Sequence, residues 1–120
     1  MLLEIKDLNF NYPDKEIFQS FDLKAPPGKI LHLNGPSGAG KTTLLHLIAG
    51  IQSPQSGAIT LGEEVFYDNK QKLLIEERRV GLVFQDYALF PHLNVLKNIS
   101  FGNKKITEEK INKALHQLDI

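Results

Sequence analysis

Residues 35–42 read Gly-Pro-Ser-Gly-Ala-Gly-Lys-Thr, and few octapeptides restrict a fold as strongly. Gly35, Gly40, Lys41 and Thr42 fill every fixed position of the pattern Gly, four residues, Gly-Lys-Ser/Thr. Gly35, Gly38 and Gly40 let the backbone take positive φ and come close to a ligand, so that successive N–H groups point inward as an anion nest. Pro36, Ser37 and Ala39 complete the loop around the same phosphates. Lys41 sets an ammonium against the β- and γ-phosphates, Thr42 offers its hydroxyl to Mg²⁺, and Thr43 adds a further hydroxyl. The helix that follows turns its positive end to the anion. A nucleoside triphosphate, ATP with Mg²⁺, is the ligand this pattern predicts.

The mechanism needs a strand before the loop and a helix after it, and the flanking residues supply both patterns. Residues 29–34 form an apolar run that predicts a strand, and residues 44–49 are apolar on most of a helical circumference before Gly50 ends the helix. Upstream, Leu3, Ile5 and Leu8 alternate with polar residues, and residues 17–25 follow the turn signal Tyr12-Pro13-Asp14, which predicts two antiparallel strands. Downstream, strands are predicted at 58–61 and 65–67 on either side of Gly62, and a buried strand at 80–84 ending at Gln85. Residues 68–79 read as polar and exposed, with the cluster Glu76-Glu77-Arg78-Arg79 a solvated face of small energetic weight. Thr107 is the expected N-cap of a last helix, with Glu108 and Glu109 in its first turn and Ile111, Leu115 and Leu118 on one face.

Composition narrows the classes. Lys plus Arg and Asp plus Glu both number 14, so no net field attracts a polyanion, and nucleic acid is not expected as a partner. The absence of cysteine excludes a disulfide framework and a thiolate metal site. The N-terminal residues carry acids where a signal peptide needs a basic start, and no run approaches the ~20 apolar residues that span a bilayer. A cytoplasmic location, peripheral on the inner face of the cell membrane through partners, is the expectation.

Two further segments make the chain resemble the nucleotide-binding subunits of ATP-binding cassette (ABC) transporters. One is Phe10-Asn11-Tyr12, where this family stacks an aromatic ring on adenine; Tyr12 is the candidate that the resemblance implies, whereas its residues alone favour an ordinary turn tyrosine. The other is Val80-Gly81-Leu82-Val83-Phe84-Gln85-Asp86-Tyr87-Ala88-Leu89-Phe90-Pro91-His92-Leu93, which resembles the family's Q-loop and its continuation in importers for oxyanions, ferric iron and polyamines. The resemblance implies that Gln85 reaches Mg²⁺ or the attacking water, so that Lys41 and Gln85 are the catalytic candidates and Thr42 and Gln85 the metal candidates. It also implies that residues 86–93 dock transmembrane permease subunits, and that the full-length form is a homodimer sandwiching two ATP.

Late features of that family are missing. There is no apolar strand ending in an Asp-Glu pair, no Leu-Ser-Gly-Gly-Gln signature and no switch histidine. The expected fold is α/β, a P-loop NTPase core with an antiparallel β lobe, truncated before the signature and the Walker B strand. Residues 1–120 are then the N-terminal part of one ABC ATPase domain, with the ATP-binding core and β lobe at about 1–86 and the Q-loop and start of the helical subdomain at about 85–120. Such a chain should bind nucleotide without the hydrolytic residues, be an ATPase only in full-length form, and be poorly stable or associate when alone. The alternatives are a small soluble P-loop kinase, which would not explain Tyr12 or the Gln85 segment, and a non-transport ABC ATPase, which would carry basic patches or long insertions.

Overall fold

The computed structural model describes residues 1–102 and 106–119. It divides into two compact units, Met1–Leu82 and Val83–Ile120. In the first, β1 (Leu3–Tyr12), β2 (Lys15–Ala25), β3 (Ser56–Leu61) and β4 (Glu64–Tyr67) form one antiparallel sheet in the order β2-β1-β3-β4. Helix α1 (Lys41–Ala49) follows the glycine-rich loop.

The burial pattern of β1 departs from simple alternation, and a bulge explains it. Ile5, Leu8 and Phe10 are all buried although Ile5 and Leu8 are three residues apart. Asp7 takes φ 47° between them, the register shifts there, and the strand is re-phased so that both residues face inward. Side chains hold the bulge: the Asp7 N–H donates to Asp22 Oδ1 at 2.8 Å, and the N–H of Ser20, itself at φ 46°, donates to Asn9 Oδ1 at 2.9 Å. The core joins Ile5, Leu8, Phe10, Phe18, Ile59 and Phe66 of the sheet to Leu44 and Leu47 of α1. Burying each such side chain contributes about 2 kcal/mol, and it seats the loop before α1 against the sheet.

The two hairpins, α1 and its end at Gly50 agree with the sequence reading; Gly50 is left-handed and its N–H reaches the His46 and Leu47 carbonyls. Two expected strands are not formed. Residues 29–34 and 80–84 carry no ladder, and Ile30 is 99% exposed and Val83 88%. A parallel, buried strand exists only between neighbours, and no such neighbour occurs among the described residues.

The polar stretch 68–79 also needs a correction. Most of it is exposed, but Arg78 is only 4% exposed. Its guanidinium donates to the carbonyls of Leu47 (2.8 Å), Ile48 (2.9 Å), Phe66 (3.0 Å) and Leu73 (3.3 Å). A buried charge persists only when its donors are satisfied, and Leu47 and Ile48 lie in the last turn of α1, where the helix dipole favours a cation. Arg78 is a tie between α1 and β4, not part of a solvated face.

The second unit holds α2 (Val95–Ser100), which sequence patterning did not suggest, and α3 (Glu108–Gln117). Asn94 caps α2 by accepting from the Lys97 N–H at 2.9 Å. Asn98 fastens the preceding loop, accepting from the Phe90 N–H at 2.9 Å and donating to the carbonyls of Phe90 and Leu93 at 3.2 and 2.9 Å. Thr107 caps α3 as its sequence predicts, Glu108 and Glu109 occupy the first turn, and Ile111 alone in this helix is buried. No helix among the described residues is long and apolar enough to cross a membrane.

Candidate functional site

The loop before α1 is shaped by what packs behind it. Gly40 has φ 90°, and a Cβ there would stand 2.6 Å from Ile17 Cγ2 and 3.1 Å from Phe18 Cζ. Any other residue would be strained and would push β2 away, so the sheet by itself requires the last glycine of the motif. Gly40 opens α1 as an N-cap without a side-chain hydrogen bond, and no acid occupies the first turn. The free N–H groups and the positive end of the helix dipole therefore face the loop uncompensated, an arrangement suited to an anion.

Lys41 turns back over this loop. Its Nζ donates to the carbonyls of Gly35 at 2.8 Å and Pro36 at 2.7 Å, and it makes no ion pair among the described residues. An ammonium resting on neutral carbonyls keeps its full charge for a phosphate. The loop is also braced from within, by the Gly35 N–H donating to Asn34 Oδ1 at 2.9 Å and the Ala39 N–H to the Pro36 carbonyl at 3.3 Å. Ser37 and Thr42 are exposed, and the Thr42 hydroxyl has no protein partner among the described residues.

Tyr12 lies at the end of β1 beside the start of α1. Its phenol is 3.4 Å from Thr43 Oγ1, and Gln52 Nε2 donates to it at 2.9 Å. Those bonds, Thr43 first, hold the phenol below the ordinary tyrosine pKa. Phe10 meets the ring edge-on with centroids 5.1 Å apart. Thr43 is buried, so its hydroxyl serves this contact with Tyr12. Gln55 then fixes the hairpin turn, accepting from the Asn11 N–H at 2.8 Å and donating to the Asn11 carbonyl at 3.3 Å.

The structure thus brings Tyr12, the loop 35–40, Lys41, Thr42 and Thr43 together in the first unit. Gln85 belongs to the second unit, exposed at the start of the turn 85–88, where Tyr87 and Ala88 take positive φ. Three contributors to the site escaped sequence reasoning. Gln52 and Gln55 follow the helix in a loop whose composition says nothing of contact with Asn11 and Tyr12. Lys15, at the start of β2, donates from Nζ to the Gly38 carbonyl at 2.8 Å. Its only sequence signal is a position three residues past Tyr12.

A helix opening on a glycine-rich loop with an unneutralised lysine, seated on a core of sheet strands, defines a P-loop nucleotide-binding protein. The family profile described as ABC transporter matches residues 18–120, and the chain belongs to that family. It is 42% identical over 117 residues to the spermidine/putrescine import ATP-binding protein PotA of Fusobacterium nucleatum subsp. nucleatum, an alignment covering 96% of this chain and 30% of that protein. The chain therefore spans about a third of the length of this relative. The fold class is that of the family, a P-loop NTPase with an antiparallel sheet.

Proposed function

We propose that this chain is the ATP-binding front part of an ABC importer subunit, which couples ATP hydrolysis to solute entry through membrane partners. The observation that carries this reading is the Lys41 ammonium, free of any carboxylate among the described residues and resting on the Gly35 and Pro36 carbonyls at the uncapped start of α1. Triphosphate oxygens in that place would gain a charge-assisted bond from Lys41, bonds from the loop amides of Ser37, Gly38 and Gly40, and the helix dipole. Tyr12, anchored by Thr43 and Gln52 at the mouth of the same loop, supplies a ring for adenine.

The residues fit Mg²⁺ bound with the nucleotide. Among the described residues no cluster of three His, Cys, Asp or Glu could hold a metal by itself, so the cation would rest on phosphate oxygens, water and the free Thr42 hydroxyl. When bound, it would neutralise charge on the phosphates, while Lys41 orients them and Gln85 supplies a neutral carbonyl from the Q-loop. Residues 1–86 would be the ATP-binding core and β lobe, and 85–120 the Q-loop with the start of the helical subdomain. Leu89 is 68% exposed and Phe90 packs at a tilt on Phe101 with centroids 4.2 Å apart, an apolar surface suited to the permease docking that the resemblance implies for residues 86–93. The complete subunit would be a homodimer on the inner face of the membrane. The relative's name makes a polyamine the cargo class to test first.

The decisive experiment is Mg²⁺-dependent binding of a fluorescent ATP analogue to the chain, beside Lys41→Ala and Tyr12→Ala, with hydrolysis followed in the same samples. Binding that falls with both substitutions, without turnover above background, is expected. Robust turnover by this chain would instead move the kinase alternative to the front.

A further inference from the structure

We infer that Lys15 is a second cation of the phosphate site, one that leaves the Gly38 carbonyl for the polyphosphate of a bound nucleotide. The inference rests on the ATP-binding reading above. Lys15 opens β2 directly after the hairpin turn that follows Tyr12, and its Nζ lies 2.8 Å from Gly38 O, in the middle of the glycine-rich loop. Asp14 and Glu16 flank it in the chain, yet the ion pairs among the described residues all belong to Glu4. The ammonium therefore ignores two neighbouring carboxylates and reaches across to a neutral carbonyl.

That places Lys15 in the same state as Lys41, a full positive charge parked on carbonyl oxygens of one short loop. A phosphate oxygen is the stronger acceptor for either, because charge-assisted bonds exceed those to neutral carbonyls. Gly38 is what lets Lys15 approach, since a Cβ there would stand 3.3 Å from its Nζ, and φ is +78°. The side chain is long and exposed, so exchange of acceptors needs only rotamer changes.

Inorganic tripolyphosphate separates this role from that of Tyr12, because it has no base to stack. Its affinity, and that of ATP, would be measured by calorimetry for the unaltered chain, Lys15→Met, Lys15→Gln, Lys15→Arg and Tyr12→Ala. Loss of one charge-assisted bond should weaken both ligands about tenfold in Lys15→Met and Lys15→Gln, whereas Lys15→Arg should stay within about threefold. Tyr12→Ala should weaken ATP alone. Glutamine can still donate to a carbonyl but has no charge, so unaltered tripolyphosphate binding by Lys15→Gln would reduce Lys15 to a prop for the loop and overturn the inference. Unaltered binding by Lys15→Met would do the same. If the unaltered chain binds neither ATP nor tripolyphosphate, the parent reading fails first, and this one with it.

Discussion

Arg78 lies over the ring of Phe66, its Cζ 5.2 Å from the ring centroid, and donates from Nη2 to the carbonyl of the same residue at 3.0 Å. The other nitrogens hold Leu47, Ile48 and Leu73. One side chain thus closes the C-terminal end of α1 and the end of β4 together. Lys41 begins the same helix, so Arg78 fixes from behind the element that presents the phosphate loop.

Replacing Arg78 should therefore act on stability. Arg78→Met removes the charged donor from the carbonyls of Leu47, Ile48, Phe66 and Leu73, leaving Leu47 and Phe66 only the backbone N–H groups of Gly50 and Leu73, and should cost about 3 kcal/mol, read as a lower urea midpoint at unchanged slope. Arg78→Lys should recover little, because one ammonium cannot span four carbonyls set around a planar fork. Gly50→Ala should join the same network, since a Cβ there would stand 2.8 Å from Arg78 Nε. Its cost combined with Arg78→Met should be less than the sum of the two, and strict additivity would show the sites to be independent.

Gly40→Ala should damage the loop through the sheet. The methyl would meet Ile17 Cγ2 at 2.6 Å, and the left-handed backbone adds strain. We expect a loss of about 2 kcal/mol in stability, with Ile17→Ala relieving the part that comes from the clash. A double variant no more stable than Gly40→Ala would mean that the backbone strain dominates.

Glu4 supplies a small acid dependence. It takes Lys24 at 2.8 Å and Lys6 at 3.0 Å, and Lys24 is its register partner across β1 and β2. Lys24 first and then Lys6 hold its carboxyl below the ordinary glutamate pKa. The folded state therefore favours the charged form. This contribution is present above the pKa of the unfolded chain and is lost as the pH falls through the lower, folded value. An NMR titration should show Glu4 ionising below the ordinary glutamate range, and Lys24→Met should bring it back toward that range. Both lysines are exposed while Glu4 is partly buried, and 1 M salt should diminish the shift by screening the lysines.

Much of this architecture is legible in the residues, for reasons that differ by element. The loop 35–42 is read from fixed chemistry, and the hairpins and α3 are read from local turns and caps such as Thr107. Arg78 was misread because a run of two acids and two bases looks solvated unless the carbonyls around it are known. Lys15 and Gln52 were missed since their contacts span 23 and 40 positions of chain, which local pattern does not encode. The runs at 29–34 and 80–84 have the composition of buried strands, but a strand is a relation between neighbours, and composition does not provide the neighbour.

Those two runs lead to a final expectation about behaviour in solution. Ile30 is 99% exposed, Leu31 46% and Val83 88%, within segments whose backbone carries no ladder. Unpaired N–H and C=O groups beside bare apolar side chains form a template for pairing with another chain. The 120-residue chain should accordingly associate as concentration rises, seen as an increasing weight-average mass in sedimentation equilibrium. Ile30→Lys with Val83→Lys should reduce that association while leaving the β1–β4 sheet intact, because neither residue belongs to its core. A monodisperse monomer with a sharp cooperative melt would show instead that these runs are covered in solution.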